Sequence, residues 1–253
     1  MIGVTKMHVI LGTIYGVAYW LTIQVSALVC VLLVTILPVL TWRQAAARAC
    51  ASAVFLLTGT RAKRFGFEQL PEGPSVVVAN HASYIDGVLL FSILPTGFSF
   101  VIKAEMQQVP LAGFVLKRLG SFFVQREHVQ SSAKSARQVM RAAVQGRPIG
   151  FFPEGTFDEN PGLKRFHKGA FATARTAALP VVPVVIRGTR RLLPADRWLP
   201  YPSRLQVEIL TPIPANIVSD STPVETMKVA RDAIAAVLDE PDLLRRDHDG
   251  PAD

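Results

Sequence analysis

The chain has 253 residues, half of them hydrophobic, and a formal charge of +8. That length holds one sizeable domain plus an appendage, and the basic excess points to an anionic partner, either nucleic acid or a membrane surface. There is no RNA-binding aromatic signature, zinc-finger spacing or basic zipper region, so nucleic acid is set aside in favour of lipid. Cys30 and Cys50 sit in apolar surroundings without a pairing motif, and imply neither a disulfide framework nor a metal site.

From Met7 to Trp42 no charged side chain occurs, a run of 36 residues. A membrane-spanning helix needs only ~20. A signal peptide has a shorter apolar core and a small-residue cleavage site, so the segment reads as a retained membrane element. As one straight helix it would extend about 54 Å against a hydrocarbon core of about 30 Å. It is therefore expected to tilt, break or fold into a hairpin, with Gly12, Gly16 and Pro38 as candidate break points. Arg43, Arg48, Arg61, Lys63 and Arg64 follow it, whereas only Lys6 precedes it. The positive-inside rule then puts the remainder of the chain on the cytoplasmic side, as at the inner membrane of a bacterium. Ala49 to Thr60 is apolar but too short to span, and should lie in the interface or pack on the domain. Residues 1–64 thus form a helical anchoring segment with a basic flank.

Beyond Phe65 short apolar runs alternate with helical periods, the pattern of an α/β domain over residues 65–240. Its expected core is a mixed, largely parallel sheet flanked by helices. Candidate strands are Ser75–Ala79, Phe98–Ile102, Phe122–Val124, Ile149–Phe152, Val181–Ile186 and Leu205–Leu210. Ser131 to Gln145 reads as a helix capped by Ser131 or Ser132 and ended by Gly146. Thr226 to Leu238 reads as a second amphipathic helix. The polar tail from Pro241 is expected to be disordered.

The first candidate strand stops abruptly in Asn80-His81, and Asp86 follows five positions later. Polar groups at the C-terminal end of a buried strand are where open α/β sheets place chemistry. Five residues along one continuous helix would put the two side chains roughly 140° apart. They meet only across a turn, or if a helix starts between them. A carboxylate on one ring nitrogen makes the other a better proton acceptor, as needed to deprotonate an alcohol. The bland alternative is a structural histidine, with Asp86 capping the helix that follows.

Three more strands end in polar or glycine-rich sequence: Gly120-Ser-Phe-Phe-Val-Gln-Arg126, Phe152-Pro-Glu-Gly-Thr156, and Val182-Pro-Val-Val-Ile186 followed by Arg187-Gly-Thr-Arg190. Each alone is an ordinary strand-to-loop exit. In this order, after Asn-His and a spaced Asp, they resemble the glycerophospholipid acyltransferase family, whose best-known members are the 1-acylglycerol-3-phosphate acyltransferases. The resemblance runs from about Ser75 to Arg190.

It implies transfer of a fatty acyl group from a thioester, on coenzyme A or acyl carrier protein, to a lysophospholipid hydroxyl. The product expected first is phosphatidic acid. No metal, other cofactor or covalent acyl-enzyme is implied. His81 would be the general base and Asp86 its orienting partner. Arg126 and Lys103 would meet the acceptor's phosphate, and Glu154, Gly155 and Thr156 would form the acceptor-binding third motif. An acidic side chain repels phosphate, so Glu154 is expected to organise its loop or pair with a neighbouring cation rather than touch the ligand. Backbone N–H groups around Gly155 are plausible oxyanion donors.

One departure stands out. Many family members continue the third motif as Thr-Arg-Ser, and this chain reads Thr156-Phe157-Asp158. Either Arg126, Lys103, Lys164, Arg165 and Lys168 compensate, or the acceptor's headgroup differs, as in a lyso-ornithine lipid. A metal hydrolase built from His81, Asp86, His128 and His167 lacks ligand spacing. A serine hydrolase lacks the Gly-x-Ser-x-Gly elbow, leaving Ser83 as its one candidate nucleophile. A non-catalytic membrane lipid-binding protein is the remaining alternative.

Overall fold

The computed structural model describes residues 2–125 and 129–246. In chain order the helices are α1 (Ile2–Ile36), α2 (Leu40–Leu57), α3 (Ile85–Ile93), α4 (Ala112–Arg118), α5 (Val129–Val144), α6 (Gly169–Thr176), α7 (Thr189–Leu192), α8 (Ala215–Asp220), α9 (Pro223–Val237) and α10 (Leu243–Arg246). The strands are β1 (Lys63–Phe65), β2 (Val76–Ala79), β3 (Ser99–Lys103), β4 (Phe122–Val124), β5 (Ile149–Phe151), β6 (Val181–Arg187) and β7 (Gln206–Ile209).

The strands form one sheet in the order β1-β7-β6-β2-β5-β3-β4. Every neighbouring pair is parallel except β6 and β7. This is the mixed, largely parallel sheet expected from the sequence. Six strands fall where the apolar runs put them. β1 went unforeseen because its three residues are exposed at the sheet edge and show no alternation.

β2 lies in the sheet interior, and its four residues are fully buried. Side chains alternate across a strand, so each of its faces serves a different core. Val77 and Ala79 pack with Tyr19 of α1, Val54 and Phe55 of α2, and Leu89 and Leu90 of α3. Val76 and Val78 pack with Phe171 of α6 and Ala230 and Ile234 of α9. Helices therefore cover both faces of the sheet, and the turn after β2 emerges between them.

The anchoring segment is a helical hairpin. α1 runs uninterrupted through Gly12 and Gly16, and the break falls at Pro38. Arg43 closes the end of α1 by donating to the carbonyls of Leu37 (2.7 Å) and Pro38 (2.8 Å). That suits the electronegative end of a helix. The two glycines have a different purpose from the expected one. A Cβ at Gly12 would lie 2.8 Å from the Tyr201 hydroxyl, and one at Gly16 3.1 Å from the Pro200 carbonyl oxygen. They let the 193–203 loop press against α1, where the Trp20 indole also donates to the Trp198 carbonyl (2.6 Å).

α2 returns antiparallel to α1: Tyr15 donates to the Thr58 carbonyl and Ser26 to that of Cys50. Farther along, both Nε and Nη2 of Arg118 donate to the Val34 carbonyl. One face of α1 is thus held by protein from Gly12 to Val34. The opposite face leaves Leu11, Ile14, Leu21, Val25, Leu28 and Leu32 exposed. Residues Ile10–Ile36 are long and apolar enough to cross a membrane.

Three boundaries differ from the sequence reading, the first being α9, which begins at Pro223 behind a Thr222–Glu225 capping box and not at Thr226. α5 begins at Val129, so neither Ser131 nor Ser132 starts it. The polar tail begins later than Pro241: Arg231 forms a two-pronged pair with Asp242 (2.6 and 3.0 Å), and Leu243 packs over Gly162. These contacts are between residues distant in sequence, so no local pattern announced them.

Candidate active site

β2 delivers Asn80 and His81 to the C-terminal edge of the sheet. The Asn80 side chain extends the ladder where the backbone turns away, accepting from the Ile186 amide (2.7 Å) and donating to the Ile186 carbonyl (2.9 Å). That double bond to β6 fixes the direction in which His81 leaves the sheet.

α3 starts at Ile85, between the histidine and the aspartate, so the chain turns back and the two side chains meet. Nδ1 of His81 lies 2.9 Å from Oδ2 of Asp86, whose side chain is fully buried. The same oxygen accepts the amides of Ala82 (2.6 Å) and Ser83 (2.8 Å). Asp86 therefore orients the ring and secures the turn that carries it. With the Nδ1 proton directed at Asp86, Nε2 is left as the acceptor. No described residue bonds to Nε2, and the imidazole retains 18% exposure.

Glu154 is 4% exposed, and each of its oxygens takes a backbone amide. Oε1 accepts from His81 (2.7 Å) and Oε2 from Lys164 (2.8 Å). The carboxylate thus straps the third-motif loop to the base of the turn that carries His81. Burial raises its pKa from 4.5 to about 7, against the pull of those two amides. Its place under the loop matches an organising role, with both oxygens occupied by the chain itself.

Gly155 has φ +74, in the left-handed region that suits glycine. Its amide closes the turn onto the Phe152 carbonyl (3.0 Å). That N–H is engaged, so an oxyanion donor from this turn would be one of the neighbouring amides. Thr156 is exposed on the same loop.

Two aromatic rings flank the histidine. Phe152 stacks on it with centroids 4.3 Å apart, and Phe157 meets it edge-on at 4.5 Å. Tyr84 in turn packs edge-on against Phe157 at 4.7 Å. These contacts were invisible in the sequence, where Phe157 registered only as a replaced arginine.

The expected cations are placed differently from one another. Lys103 ends β3, two strands along the sheet from β2, and pairs with Glu105 at 3.6 Å. Its register partner is Val124, two residues before Arg126. Arg126 and His128 lie outside the described residues. Lys164 pairs with Asp158, whose carboxyl is held below the usual carboxylate range by that ammonium. Arg165 and Lys168 are exposed. Arg190, missed as a site element, donates to the Asp158 carbonyl (2.7 Å) and pairs with Glu240 (2.8 Å). Ser83 is fully buried and donates to the Leu193 carbonyl at 2.6 Å, so its hydroxyl is not presented as a nucleophile.

Comparison with known proteins bears on this geometry. The family model described as Acyltransferase matches residues 62–187, which hold both the histidine and the third-motif loop. The 1-acyl-sn-glycerol-3-phosphate acyltransferase of Chlamydomonas reinhardtii is 31% identical over 169 residues, 66% of this chain and 49% of that protein. The lyso-ornithine lipid O-acyltransferase of Pseudomonas aeruginosa is 35% identical over 136 residues, 53% of this chain and 50% of its own length. The chain spans half or less of the length of the first curated relatives it matches. In fold it resembles the crystal structure of the 1-acyl-sn-glycerophosphate acyltransferase from Thermotoga maritima. The TM-score is 0.75 at 21% identity, over 91% of this chain and 95% of that one.

Proposed function

Since the chain belongs to the glycerophospholipid acyltransferase family, we propose that it transfers a fatty acyl group from a thioester to the free hydroxyl of a lysolipid. The observation that carries this reading is the His81–Asp86 pair at the end of a buried strand, with Nε2 left to accept. His81 takes the acceptor's hydroxyl proton on Nε2. The oxygen attacks the thioester carbonyl, a tetrahedral oxyanion forms, and it collapses with loss of the thiol. The imidazolium returns its proton to the departing sulfur. Asp86 holds the ring in register and offsets the charge that develops on it. Such general-base help contributes about 10²–10⁴ in rate.

The acceptor named first is 1-acylglycerol-3-phosphate, giving phosphatidic acid, and its support is the name carried by relatives from an alga, a yeast and two bacteria. Phosphate recognition is assigned to Arg126 with Lys103, which ends β3 opposite Val124, two residues before Arg126 in the sequence. The donor is a thioester on coenzyme A or on acyl carrier protein, and the scheme needs no cofactor beyond it. A second acceptor, a lysolipid with another head such as a lyso-ornithine lipid, is favoured by Phe157 beside the histidine.

The bilayer is the site's surroundings. One face of α1 is bonded to protein along its length, so the helix enters the lipid from one side by its exposed apolar face. Arg43, Arg48, Arg61, Lys63 and Arg64 meet anionic headgroups on the cytoplasmic leaflet, at about 1 kcal/mol each. An acceptor that stays in the bilayer then reaches His81 without leaving it.

The test is a transfer assay in membranes with both thioester donors and a panel of lysolipids, comparing wild type, His81→Ala and Arg126→Ala. Loss of turnover in the first variant, and selective weakening of phosphate-bearing acceptors in the second, support the reading. Equal losses of all acceptors in Arg126→Ala would assign that residue to folding.

A further inference from the structure

Where the family resemblance leads one to expect an arginine, the loop over the histidine carries Phe157. Phe157 is wedged between the His81 and Tyr84 rings at 4.5 and 4.7 Å. The backbone behind it is pinned where Arg190 donates to the Asp158 carbonyl. Two of the cations around the loop are already paired, Lys164 with Asp158 and Arg190 with Glu240, while Arg165 and Lys168 are exposed. The surface immediately beside the histidine ring is therefore aromatic.

An acceptor hydroxyl must come within hydrogen-bond reach of Nε2 to lose its proton. Whatever occupies the carbon next to that hydroxyl is then brought close to the two rings. A phosphate held against them, away from water, faces aromatic rings in place of a cation and is costly to bury. An uncharged neighbour suffers no such loss and gains contact with the aromatic faces.

We propose that Phe157 is a specificity-determining residue that admits a second acceptor class: lysolipids whose reactive hydroxyl is flanked by an uncharged group. Phosphate-bearing acceptors are not thereby excluded. What Phe157 removes is the requirement for a phosphate. The inference rests on the His81–Asp86 reading of the chemistry.

The test compares 1-acylglycerol with 1-acylglycerol-3-phosphate carrying the same acyl chain, so that the phosphate is the only difference. Wild type is expected to use both with kcat/KM values within about tenfold. Phe157→Arg should shift the ratio at least tenfold towards the phosphate, chiefly through a lower KM for that acceptor. Asp158→Ala, which frees Lys164 without altering the aromatic wedge, should move the ratio the same way by about threefold. It therefore reports even if Phe157→Arg fails to fold. A wild type that turns over the phosphate acceptor but not 1-acylglycerol overturns the proposal while leaving the general-base mechanism intact. So does a ratio unchanged in both variants. Undiminished turnover of both acceptors by His81→Ala would instead overturn the mechanism itself.

Discussion

Asp86 Oδ2 stands 2.9 Å from His81 Nδ1 and takes the Ala82 and Ser83 amides on the same oxygen, so the base and its turn share one anchor. Asp86→Asn keeps the shape but cannot offset the charge of an imidazolium. Its kcat should fall by about 10²–10⁴, with KM little changed. Steady-state kinetics on vesicle-bound enzyme reads both. A change confined to KM would place Asp86 in acceptor binding.

Glu154 links stability to pH. Burial raises its pKa from 4.5 to about 7. Between those values the folded chain retains a proton that the unfolded chain has released, so stability falls as pH rises through that window and levels off above it. Glu154→Gln lacks this group. The difference in denaturant midpoint between wild type and variant should therefore vary across the window and flatten above pH ~7. The amide also turns an N–H₂ towards one of the two backbone N–H groups, at a cost of about 1–3 kcal/mol. A difference that does not vary with pH would mean that the carboxyl is ionised throughout.

The exposed face of α1 should decide membrane attachment. Leu21, Leu28 and Leu32 each expose more than half of their surface to the outside of the fold. Burying such a side chain is worth about 1.5–3 kcal/mol. The triple change to Glu should abolish sedimentation with anionic vesicles and leave unfolding unaltered, because none of the three belongs to the protein core. Retained binding would transfer the anchoring role to the basic flank.

The Arg231–Asp242 pair closes the C-terminal end of the fold over the loop at Leu163, whose carbonyl also accepts from Arg231 at 3.0 Å. Breaking a buried pair leaves a charge without its partner, so Arg231→Met should cost about 3–5 kcal/mol in equilibrium unfolding. Adding Asp242→Leu should recover much of that loss. A double variant no more stable than the single one would show that the carbonyl bonds, rather than the ion pair, carry the contribution.

The parts legible in the sequence are those with a local signature. Buried runs such as Val76–Ala79 marked six strands, and the abrupt change to Asn80-His81 marked where polar chemistry leaves the sheet. The spacing to Asp86 required a turn, and α3 begins inside it. What escaped depends on partners far apart in the chain. Glu154 reaches His81 across 73 positions, and Arg190 reaches Glu240 across 50. Gly12 and Gly16 look like helix breakers in isolation. Only the arrival of Leu199, Pro200 and Tyr201 shows that they are sites of close approach. Phe157 was noticed as a departure, but its wedge between His81 and Tyr84 follows from the folded loop alone.

The most direct measurement is single-turnover acyl transfer by vesicle-bound His81→Ala, whose fold and membrane binding are first matched to wild type. With the ring gone, the acceptor hydroxyl loses the base proposed for it, and the rate should fall by about 10²–10⁴. A variant that acylates its lysolipid at the wild-type rate would contradict the account, because another group would then be deprotonating the alcohol.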